Sequence, residues 1–320
     1  MDVKTSENLI LFDWLSFSVK KENELWDVIK MLGLQKAEWT QIYGFYGYKN
    51  RMYNGGISIM YDGTEDMGFL VEMSGQGCRT FETIGNGDYE KVFNYIKSKP
   101  DIVNITRLDI AFDDHTGIFN IDRLYRDTDE RNFISRSECH EIVKGSKGIS
   151  ITHGRKASNT LIRIYDKAKE RGYEDGEHWI RLELQLRHEN AFGFIKNETP
   201  INERFLGVVY NYLRYVVPKK DDINTRRWPN TPYWNRFLAG ASKIRIYSKP
   251  GIEYNEYRLH HYVVEQAGNS ANVYREIYGD NKYLEELDKR RAEKEYSDTQ
   301  RYLIEKHNRR INGHDYTGRS

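Results

Sequence analysis

The sequence predicts an α+β fold: a largely antiparallel central sheet with helices packed on one of its faces. Several segments alternate strictly between apolar and polar residues, amphipathic segments lie between them, and glycine-marked turns separate neighbouring strand segments. The 320 residues are 38% hydrophobic and include 24 Tyr and 13 Phe, which is enough apolar material for a packed core. The composition therefore describes a globular protein rather than a disordered chain.

Three features of the sequence bear on the cellular compartment: apolar runs, the N-terminal segment and the cysteines. No apolar run approaches the length that spans a bilayer, and the polar N-terminus lacks the basic and apolar segments of a signal peptide. Cys78 and Cys139 are too few for a disulfide framework or for a zinc site of their own. We expect a protein of the reducing cytoplasm with two ordinary thiols.

Elements before Pro100 follow the order strand, helix, strands, helix. Asn54-Gly55 is a hairpin signal between two aromatic, strand-like runs. Gly75 and Gly77 interrupt the strand pattern, and a tight turn there is the simplest interpretation, although such a turn also lets backbone amides approach a phosphate. The predicted bounds are Asn8–Val19 (strand), Glu22–Leu32 (helix), Tyr43–Tyr61 (hairpin), Gly68–Ser74 (strand) and Asp88–Lys97 (helix).

The same order recurs after Pro100, which predicts two pseudo-symmetric α+β halves, residues 1–100 and 101–250. The second half is predicted to be catalytic because it carries most of the polar strand residues. Residues 251–320 are predicted as a charged helical tail, helical over Tyr283–Arg310. The predicted elements of the second half are strands at Ile105–Asp113, Glu141–Ile151, Thr160–Lys167 and Trp179–Arg187, a helix that starts within Asn120–Tyr125, and a helix at Asn202–Val216.

Charge is balanced over the chain but not along it. The formal net charge of +1 gives no general argument for a polyanionic partner. Residues 219–249 nevertheless hold eight basic and two acidic residues, with aromatic residues interleaved. Basic and aromatic residues together suit DNA backbone neutralisation and base stacking; a solvated surface over core aromatics explains them equally well. The predicted DNA contacts of this segment are Arg226, Arg227, Trp228, Lys243 and Arg245, and its other aromatic residues are Tyr233, Trp234 and Phe237.

Three strands combine an apolar face with a charged face. Side chains of a strand point alternately to its two faces. In residues 107–113 the apolar positions are Leu108, Ile110 and Phe112, and the residues between them are mostly charged. A sheet that turns this face to water is the plain alternative. The polar sets are Arg107, Asp109 and Asp113 on the first strand, Arg163, Tyr165 and Lys167 on the second, and Arg181, Glu183, Gln185 and Arg187 on the third.

These residue types suit metal-assisted chemistry on a phosphodiester. Carboxylates bind hard cations such as Mg²⁺ or Mn²⁺, and arginine and lysine pair with phosphate oxygens. We therefore predict a cation at Asp109 and Glu183, with Asp113 as a further candidate ligand. The same carboxylates could instead be ion-pair partners of the neighbouring arginines.

A tyrosine on this face is a candidate nucleophile. Tyr165 would attack a phosphate in line, leaving a 5′-phosphotyrosine link and a free 3′-hydroxyl. Arg163, Lys167 and Arg181 are the candidates for stabilising the phosphate oxygens.

The order and spacing of these motifs resemble a known family, the Rep_trans replication initiation factors. Its members initiate rolling-circle replication of staphylococcal plasmids, or act as relaxases of conjugative elements. The resemblance spans about residues 69–187. The segments that carry it are Arg107-Leu-Asp-Ile-Ala-Phe-Asp-Asp114, Ile162-Arg-Ile-Tyr-Asp-Lys167, Arg181-Leu-Glu-Leu-Gln-Leu-Arg187, Gly154-Arg-Lys-Ala-Ser158 and Phe69-Leu-Val-Glu-Met-Ser-Gly-Gln-Gly-Cys78.

The resemblance implies an enzyme that nicks and religates DNA at an origin. It implies that Tyr165 is the nucleophile and that Asp109 and Glu183 are metal ligands. It adds Arg155 and Lys156, in the basic segment ahead of the tyrosine strand, as DNA contacts. It further implies a host helicase as partner and, often, a dimer.

Two features bear on the site assignment. Ile244-Arg-Ile-Tyr-Ser-Lys249 nearly repeats the Tyr165 segment, so Tyr247 is a rival nucleophile; Tyr165 is preferred because it lies between the two acidic strands. Among the histidines, His153 is the first candidate for an additional ligand. No His-hydrophobic-His triplet occurs, which disfavours the histidine-metal nickases and favours a carboxylate site.

Two other functions fit part of the sequence. A non-catalytic origin-binding protein would account for the basic and aromatic residues but not for Asp109 and Glu183, whose charges oppose phosphate unless a cation lies between. A metal-dependent nuclease that activates water would use the carboxylates and leave Tyr165 with a structural role.

Overall fold

The computed structural model describes residues 8–173, 178–241, 263–264, 268–293 and 304. The chain divides into two compact units, Met1–Ser248 and Lys249–Ser320. Within the described residues no helix combines the length and apolar character required to cross a membrane.

A ten-stranded antiparallel sheet forms the centre of the first unit. Its strand order is β2-β3-β4-β5-β1-β6-β11-β10-β9-β8, and β7 and β12 pair separately as a two-stranded sheet. The strands are β1 (Leu9–Val19), β2 (Thr40–Tyr43), β3 (Asn50–Asn54), β4 (Ile57–Tyr61), β5 (Phe69–Met73), β6 (Val103–Asp114), β7 (Phe133–Ser135), β8 (His140–Gly145), β9 (Gly148–His153), β10 (Thr160–Asp166), β11 (Ile180–Arg187) and β12 (Leu213–Tyr215).

Helices supply the apolar side chains that cover one face of this sheet. Leu108, Ile110 and Phe112 of β6 are fully buried and belong to the same core as apolar residues of these helices. Burial of this stripe is the main source of stability that the strand alternation provides. The helices of the first unit are α1 (Leu25–Met31), α2 (Gly75–Thr83), α3 (Tyr89–Ser98), α4 (Ile121–Asp129), α5 (Lys167–Glu170), α6 (His188–Lys196), α7 (Ile201–Tyr212) and α8 (Pro232–Ala241).

The sheet consists of two five-stranded halves that meet at β1 and β6. Strands β1 to β5 form one half, and β6 with β8 to β11 forms the other. The order of elements is the same in both, apart from β7 and α5, which the second half adds. The predicted α+β class with an antiparallel sheet is confirmed. The halves predicted as residues 1–100 and 101–250 share one continuous sheet, which β1 and β6 join along their length.

The Gly75 and Gly77 segment differs from the prediction. These residues begin helix α2 rather than a simple turn, because the Ser74 side chain accepts a hydrogen bond from Gly77 N and caps the helix. A Cβ at Gly77 would lie 2.3 Å from Gly56 O, so glycine is required where the β3–β4 turn packs against α2.

A second difference lies after α7. The helix predicted over Asn202–Val216 ends at Tyr212, and Leu213–Tyr215 forms β12. Leu213 and Tyr215 are buried and Arg214 is half-buried, which is the alternation of a strand, and β12 pairs with β7.

The second unit is helical where it is described. Helices occupy Gly268–Tyr278 and Asp280–Glu293. The second of these covers the beginning of the predicted charged helix, and ion pairs four residues apart support it: Lys282 Nζ lies 3.1 Å from Glu286 Oε1, and Lys289 Nζ lies 3.1 Å from Glu285 Oε1.

Candidate active site

Strand register brings the predicted site residues onto one face of the sheet. On β11, Arg181 pairs with Asp113 of β6, and Glu183 pairs with Ala111. On the other side, β11 pairs with β10, so that directly opposed residues share a face. The pairs formed there are Tyr165 with Arg181 and Arg163 with Glu183.

Tyr165 lies in the middle of this polar face and is 5% exposed. Its Oη donates a hydrogen bond to Glu183 Oε2 at 3.3 Å. The Arg163 guanidinium carbon lies 4.6 Å from the ring centroid, and Lys167 Nζ lies 5.3 Å from it. Burial raises the pKa of the Tyr165 phenol well above its ordinary value, although Arg181 acts in the opposite direction. The tyrosine is therefore a neutral phenol whose proton already points to a carboxylate.

Arg163 and Glu183 form an ion pair beside the phenol, with Arg163 Nη2 2.9 Å from Glu183 Oε2. Both hydrogen bonds to this carboxylate thus reach the same oxygen, Oε2. The Arg163 side chain is 42% exposed while that of Glu183 is buried. Arg163 therefore connects the buried carboxylate to the surface.

Asp109 is a buried carboxylate one strand away from Glu183. Arg107 Nε donates to both of its oxygens, at 2.9 and 3.1 Å, and Gln185 Nε2 donates to Oδ2 at 3.3 Å. Burial raises the pKa of Asp109 to about 6; the hydrogen bonds and charge of Arg107 oppose the rise, and Glu183 adds to it. Two carboxylates thus lie close enough for one to disfavour ionisation of the other.

Arg181 holds two aspartates below the tyrosine. Its Nε and Nη2 donate to the two oxygens of Asp113, at 2.6 and 2.7 Å, and its Nη1 lies 2.9 Å from Asp13 Oδ1. Burial would raise the pKa of Asp113, but Arg181 outweighs it and holds that pKa below its ordinary value. Both oxygens of Asp113 accept hydrogen bonds from Arg181, as both oxygens of Asp109 do from Arg107, and the role of Asp113 as a further cation ligand stays a prediction.

Lys167 begins the short helix after β10. Its Nζ lies 2.5 Å from Glu170 Oε2, and its side chain is buried. Burial, together with the nearby Arg181, lowers the pKa of Lys167.

The predicted DNA contacts do not gather around Tyr165. Arg155 and Lys156 are exposed in the turn between β9 and β10. Tyr165 pairs with Ser150, three residues before the end of β9, and Arg155 follows that end in the turn. Arg226 and Arg227 are exposed in a 3-10 turn, and Trp228 is half-buried with its Nε1 donating to Asp222 O.

The aromatic residues of the basic segment have a structural role. Tyr233, Trp234 and Phe237 are buried in α8 and belong to the core, so stacking on bases was the wrong interpretation for them. The alternative, aromatic residues packed under a solvated basic surface, applies to these three. Lys243, Arg245 and the rival nucleophile Tyr247 lie outside the described residues.

His153 is not part of the polar face. It pairs with Ile162 on the apolar side of the sheet, where its Nε2 lies 3.1 Å from the Tyr215 hydroxyl. Burial lowers the pKa of His153 to about 3, so the imidazole is neutral.

Three further residues of the polar face escaped sequence reasoning. Asp13 lies at an irregularity in the β1–β6 pairing, between Phe12 and Trp14, which breaks the alternation that would have identified it. Trp14 pairs with Asp109, and its ring lies 4.3 Å below the Arg107 guanidinium carbon. Glu72 on β5 pairs with Ser16 and completes this face of the first half. The alternation Leu-Val-Glu-Met could have identified Glu72 as a residue of the polar face.

The carboxylates were tested as a cation site. Within the described residues no group of three or more His, Cys, Asp or Glu side chains is placed to hold a metal ion. Asp109 and Glu183 remain as a pair of buried carboxylates; burial raises the pKa of Asp109, and the charge of Glu183 adds to the rise. Mg²⁺ commonly uses one or two carboxylates and completes its shell with water and substrate phosphate oxygens. The pair fits such an ion.

The profile of the family described as "Replication initiation factor" matches residues 103–287. The chain belongs to this family. A second profile, "Rolling Circle replication initiation protein N-terminal domain", matches residues 9–98. The boundary between the two matches lies between α3 and β6, where the two halves of the sheet meet along the chain.

Two relatives extend over most of this replication initiation factor. "Putative DNA relaxase NicK" of Bacillus subtilis (strain 168) is 27% identical over 259 residues, which cover 75% of this chain and 73% of that protein. A solved rolling-circle replication initiator protein of Geobacillus stearothermophilus is 30% identical with a TM-score of 0.69, covering 76% of this chain and 100% of that one. The replication initiation factor thus shares its fold with a rolling-circle initiator.

Proposed function

We propose that this replication initiation factor nicks one DNA strand at an origin by forming a 5′-phosphotyrosine intermediate at Tyr165. The observation that carries the proposal is the hydrogen bond from Tyr165 Oη to Glu183 Oε2, formed among Arg163, Arg181 and Lys167. A purely structural tyrosine on a sheet face does not need a carboxylate acceptor and three cations around it. A nucleophile that attacks a phosphate needs both.

The bond changes follow from this arrangement. Tyr165 Oη bonds to phosphorus, the bond from phosphorus to the 3′-oxygen breaks, and the leaving 3′-oxygen takes a proton from solvent. The phenolic proton passes to Glu183 Oε2, the acceptor that it already faces. Arg163, partly exposed beside the phenol, is the cation that can reach a phosphate oxygen of the incoming strand.

Arg181 is a positioning residue. It is buried, and its donors are committed to Asp113 and Asp13, so it fixes the strand surface beneath Tyr165 and favours the phenolate by its charge. Lys167 is placed on the phenol ring rather than in front of the hydroxyl, and we assign it the same electrostatic role.

A divalent cation, Mg²⁺ or Mn²⁺, belongs to the proposal. Asp109 and Glu183 would hold it, and a cation bound there would polarise the scissile phosphate. The two carboxylates are buried, and Arg107 orients Asp109 by donating hydrogen bonds to both of its oxygens. DNA is the proposed substrate, and Arg155, Lys156, Arg226 and Arg227 are its proposed outer contacts. A host helicase and a second copy of the chain are proposed partners on the basis of family resemblance.

Formation of a covalent adduct tests the proposal. The chain is incubated with Mg²⁺ or Mn²⁺ and single-stranded or supercoiled DNA that carries the origin of the element encoding it. Wild-type protein should yield a protein–DNA adduct. Tyr165→Phe should lower adduct formation by at least about a thousandfold, since the attacking oxygen is absent. The measurement is adduct yield on denaturing gels, with the linked peptide identified by mass spectrometry.

Tyr247→Phe is the matched control, because its segment nearly repeats that of Tyr165. An adduct that persists in Tyr165→Phe and disappears in Tyr247→Phe would overturn the choice of nucleophile. Cleavage without an adduct would support the nuclease that uses water. Origin binding with neither cleavage nor adduct would support a non-catalytic binding protein.

A further inference from the structure

An arginine held between aromatic rings lies at the edge of the sheet in the first half. The Arg51 guanidinium carbon is 5.0 Å from the Phe45 ring centroid and 5.3 Å from that of Tyr53. Tyr46 stacks edge-on against Phe45 at 4.6 Å. We call Phe45, Tyr46, Arg51 and Tyr53 the edge clamp. It lies on β3 and in the loop that joins the edge strand β2 to β3.

Arg51 is oriented by the rings, and its Nε is buried without a hydrogen-bond partner in the described part of the chain. Burial raises the pKa of Glu72, two strands away, and the charge of Arg51 is among those that oppose the rise, but no ion pair within 4.0 Å joins Arg51 to a carboxylate of the described residues. By contrast, Arg107, Arg163 and Arg181 on the same face each bind a carboxylate. A guanidinium that is fixed by aromatic rings and lacks an acceptor is prepared for an anionic ligand.

The rings of the edge clamp are partly open to solvent. Tyr46 is 66% exposed and has a positive φ of 57°. Tyr53 is 37% exposed. Exposed tyrosines next to an arginine suit the binding of unpaired nucleotides. Any base can stack on a tyrosine ring, whatever the DNA sequence, and the guanidinium can pair with a phosphate.

Register places the edge clamp on the same face as Tyr165. Tyr53 pairs with Ser58, Ser58 with Glu72, and Glu72 with Ser16. Ser16 then pairs with Arg107, which joins this face to the active site. Between β3 and β10 there are six strand intervals, or about 29 Å at about 4.8 Å each. Along the strands, Tyr53 is level with Arg107 and Arg187, and Arg187 lies six residues from Arg181, the partner of Tyr165, which adds an offset of about 20 Å.

Trp14 and Arg107 lie between the two sites. Their side chains stack at 4.3 Å, and the Trp14 Nε1 is buried without a hydrogen-bond partner in the described part of the chain. A donor that lacks an acceptor thus also occurs between the active site and the edge clamp. The two components combine to roughly 35 Å, and stacked DNA advances about 3.4 Å per nucleotide, so about ten nucleotides would cover the distance.

We propose that the edge clamp binds the unpaired DNA strand that flanks the nick site, with Arg51 on phosphate and Tyr46 and Tyr53 on bases. The proposal rests on the proposed function for the position of the cut, at Tyr165. It assigns the first half of the sheet a holding role, and it predicts binding that depends on strand length rather than on sequence.

Binding of oligothymidylates tests it without any cleavage. Fluorescein-labelled strands of about 6 and about 16 nucleotides are titrated with the full chain, without divalent cations, and followed by fluorescence anisotropy. Wild-type protein should bind the longer strand more tightly, since that strand alone spans both sites. Arg51→Gln should weaken binding of the longer strand by about tenfold, remove most of the length advantage, and lower the salt dependence by about one phosphate contact.

Two matched controls lie beside the clamp. Lys49→Gln removes the same charge from an exposed position of the same loop. Tyr43→Ala removes an exposed tyrosine of the edge strand that pairs with Asn50 and so points to the opposite face of the sheet. Both controls should change binding of the longer strand by less than about twofold. Ultraviolet cross-linking to thymine should label the peptide that contains Tyr53.

The outcomes separate this proposal from the nicking proposal. Equal losses in Arg51→Gln and Lys49→Gln, or no length advantage in the wild-type chain, would overturn the edge clamp. Cross-links confined to the second half would also overturn it, as would clamp variants that bind DNA normally. Each titration is repeated in the Tyr165→Phe background, where a retained effect of Arg51→Gln supports the clamp even if Tyr165 proves not to be the nucleophile.

Discussion

The two halves of the sheet have the same order of elements but different side chains at corresponding positions. Glu72 and Glu183 correspond: each lies on the strand next to the central pair, in the patterns Leu-Val-Glu-Met and Arg-Leu-Glu-Leu. Glu72 pairs with Ser16 of β1, and Glu183 with Ala111 of β6. The glutamate is therefore common to both halves and cannot by itself define a catalytic site.

The neighbours of that glutamate differ. In the second half, Arg181 pairs with Asp113 on one side and with Tyr165 on the other. At the corresponding place in the first half, Leu70 pairs with Ser18 and with Met60. Tyr165, the proposed nucleophile, and the buried ion pair thus occur together, in one half. We therefore expect the proposed catalysis to require the whole set, of which the first half carries only the polar face and the glutamate.

The largest effect that this comparison predicts concerns stability. Arg181→Met leaves Asp113 and Asp13 without their partner in a buried site, which should lower the free energy of unfolding by about 3–5 kcal/mol. Urea denaturation followed by circular dichroism measures this loss. The corresponding change in the first half, Leu70→Met, exchanges one apolar side chain for another of similar volume and should cost less than about 1.5 kcal/mol.

The double variant Arg181→Met/Asp113→Leu removes the two buried charges and leaves only the partly exposed Asp13 without its partner, so it should recover most of the lost stability while nicking stays impaired. Equal destabilisation by Leu70→Met and Arg181→Met would show that the buried ion pair does not distinguish the halves. Recovery of nicking in the double variant would show that Arg181 has no positioning role.

The next effect concerns the two glutamates. Glu183→Gln removes the proton acceptor of Tyr165 and should lower the nicking rate by about a hundredfold or more. Glu72→Gln should change it by less than about threefold, because Met60 stands at the position in the first half that Tyr165 occupies in the second. The measurement is the single-turnover nicking rate as a function of pH.

Both variants exchange a carboxylate for an amide of the same shape, so unfolding experiments can show that each remains folded. Comparable losses of nicking rate in the two would mean that Glu72 belongs to the catalytic set. An unchanged rate in Glu183→Gln would remove Glu183 from the mechanism.

Alternation explains why much of the site could be predicted from the sequence. A charged stripe beside Leu108, Ile110 and Phe112 fixes which residues share a face, whatever the rest of the fold. It put Asp109, Tyr165 and Glu183 each on the polar face of its strand. The hairpin at Asn54-Gly55 and the repeat of elements around Pro100 were equally local signals, and the structure has both.

What could not be predicted depends on contacts between distant segments. The irregularity at Asp13 changes which β1 residues face the site, and no local pattern marks it. Tyr233 and Trp234 are core residues because α8 packs inward, which a run of basic and aromatic residues does not reveal. Capture of Asp113 by Arg181 is a cross-strand pairing, so the sequence alone left open whether Asp113 binds a cation or an arginine.

The smallest predicted effect concerns Asp109, whose counterpart in the first half is Trp14. The folded chain holds the pKa of Asp109 at about 6, above its ordinary value of 3.8. Between these values the folded chain binds a proton that the unfolded chain has lost, so stability falls as pH rises through about 6. Asp109→Asn stays neutral and should be more stable than wild type at about pH 8, on the order of 1 kcal/mol, with no gain below about pH 4.

Asp113→Asn is the matched control with the opposite sign. Arg181 holds the pKa of Asp113 below its ordinary value, so the ionised form stabilises the folded chain at neutral pH and that stability is lost as pH falls through the lowered pKa. Asp113→Asn should therefore be destabilised at about pH 8 where Asp109→Asn is stabilised. Added Mg²⁺ should raise the melting temperature of wild type above about pH 6 and leave Asp109→Asn unchanged, because the ion requires the ionised carboxylate. Equal stabilisation of both chains by Mg²⁺ would place the cation elsewhere.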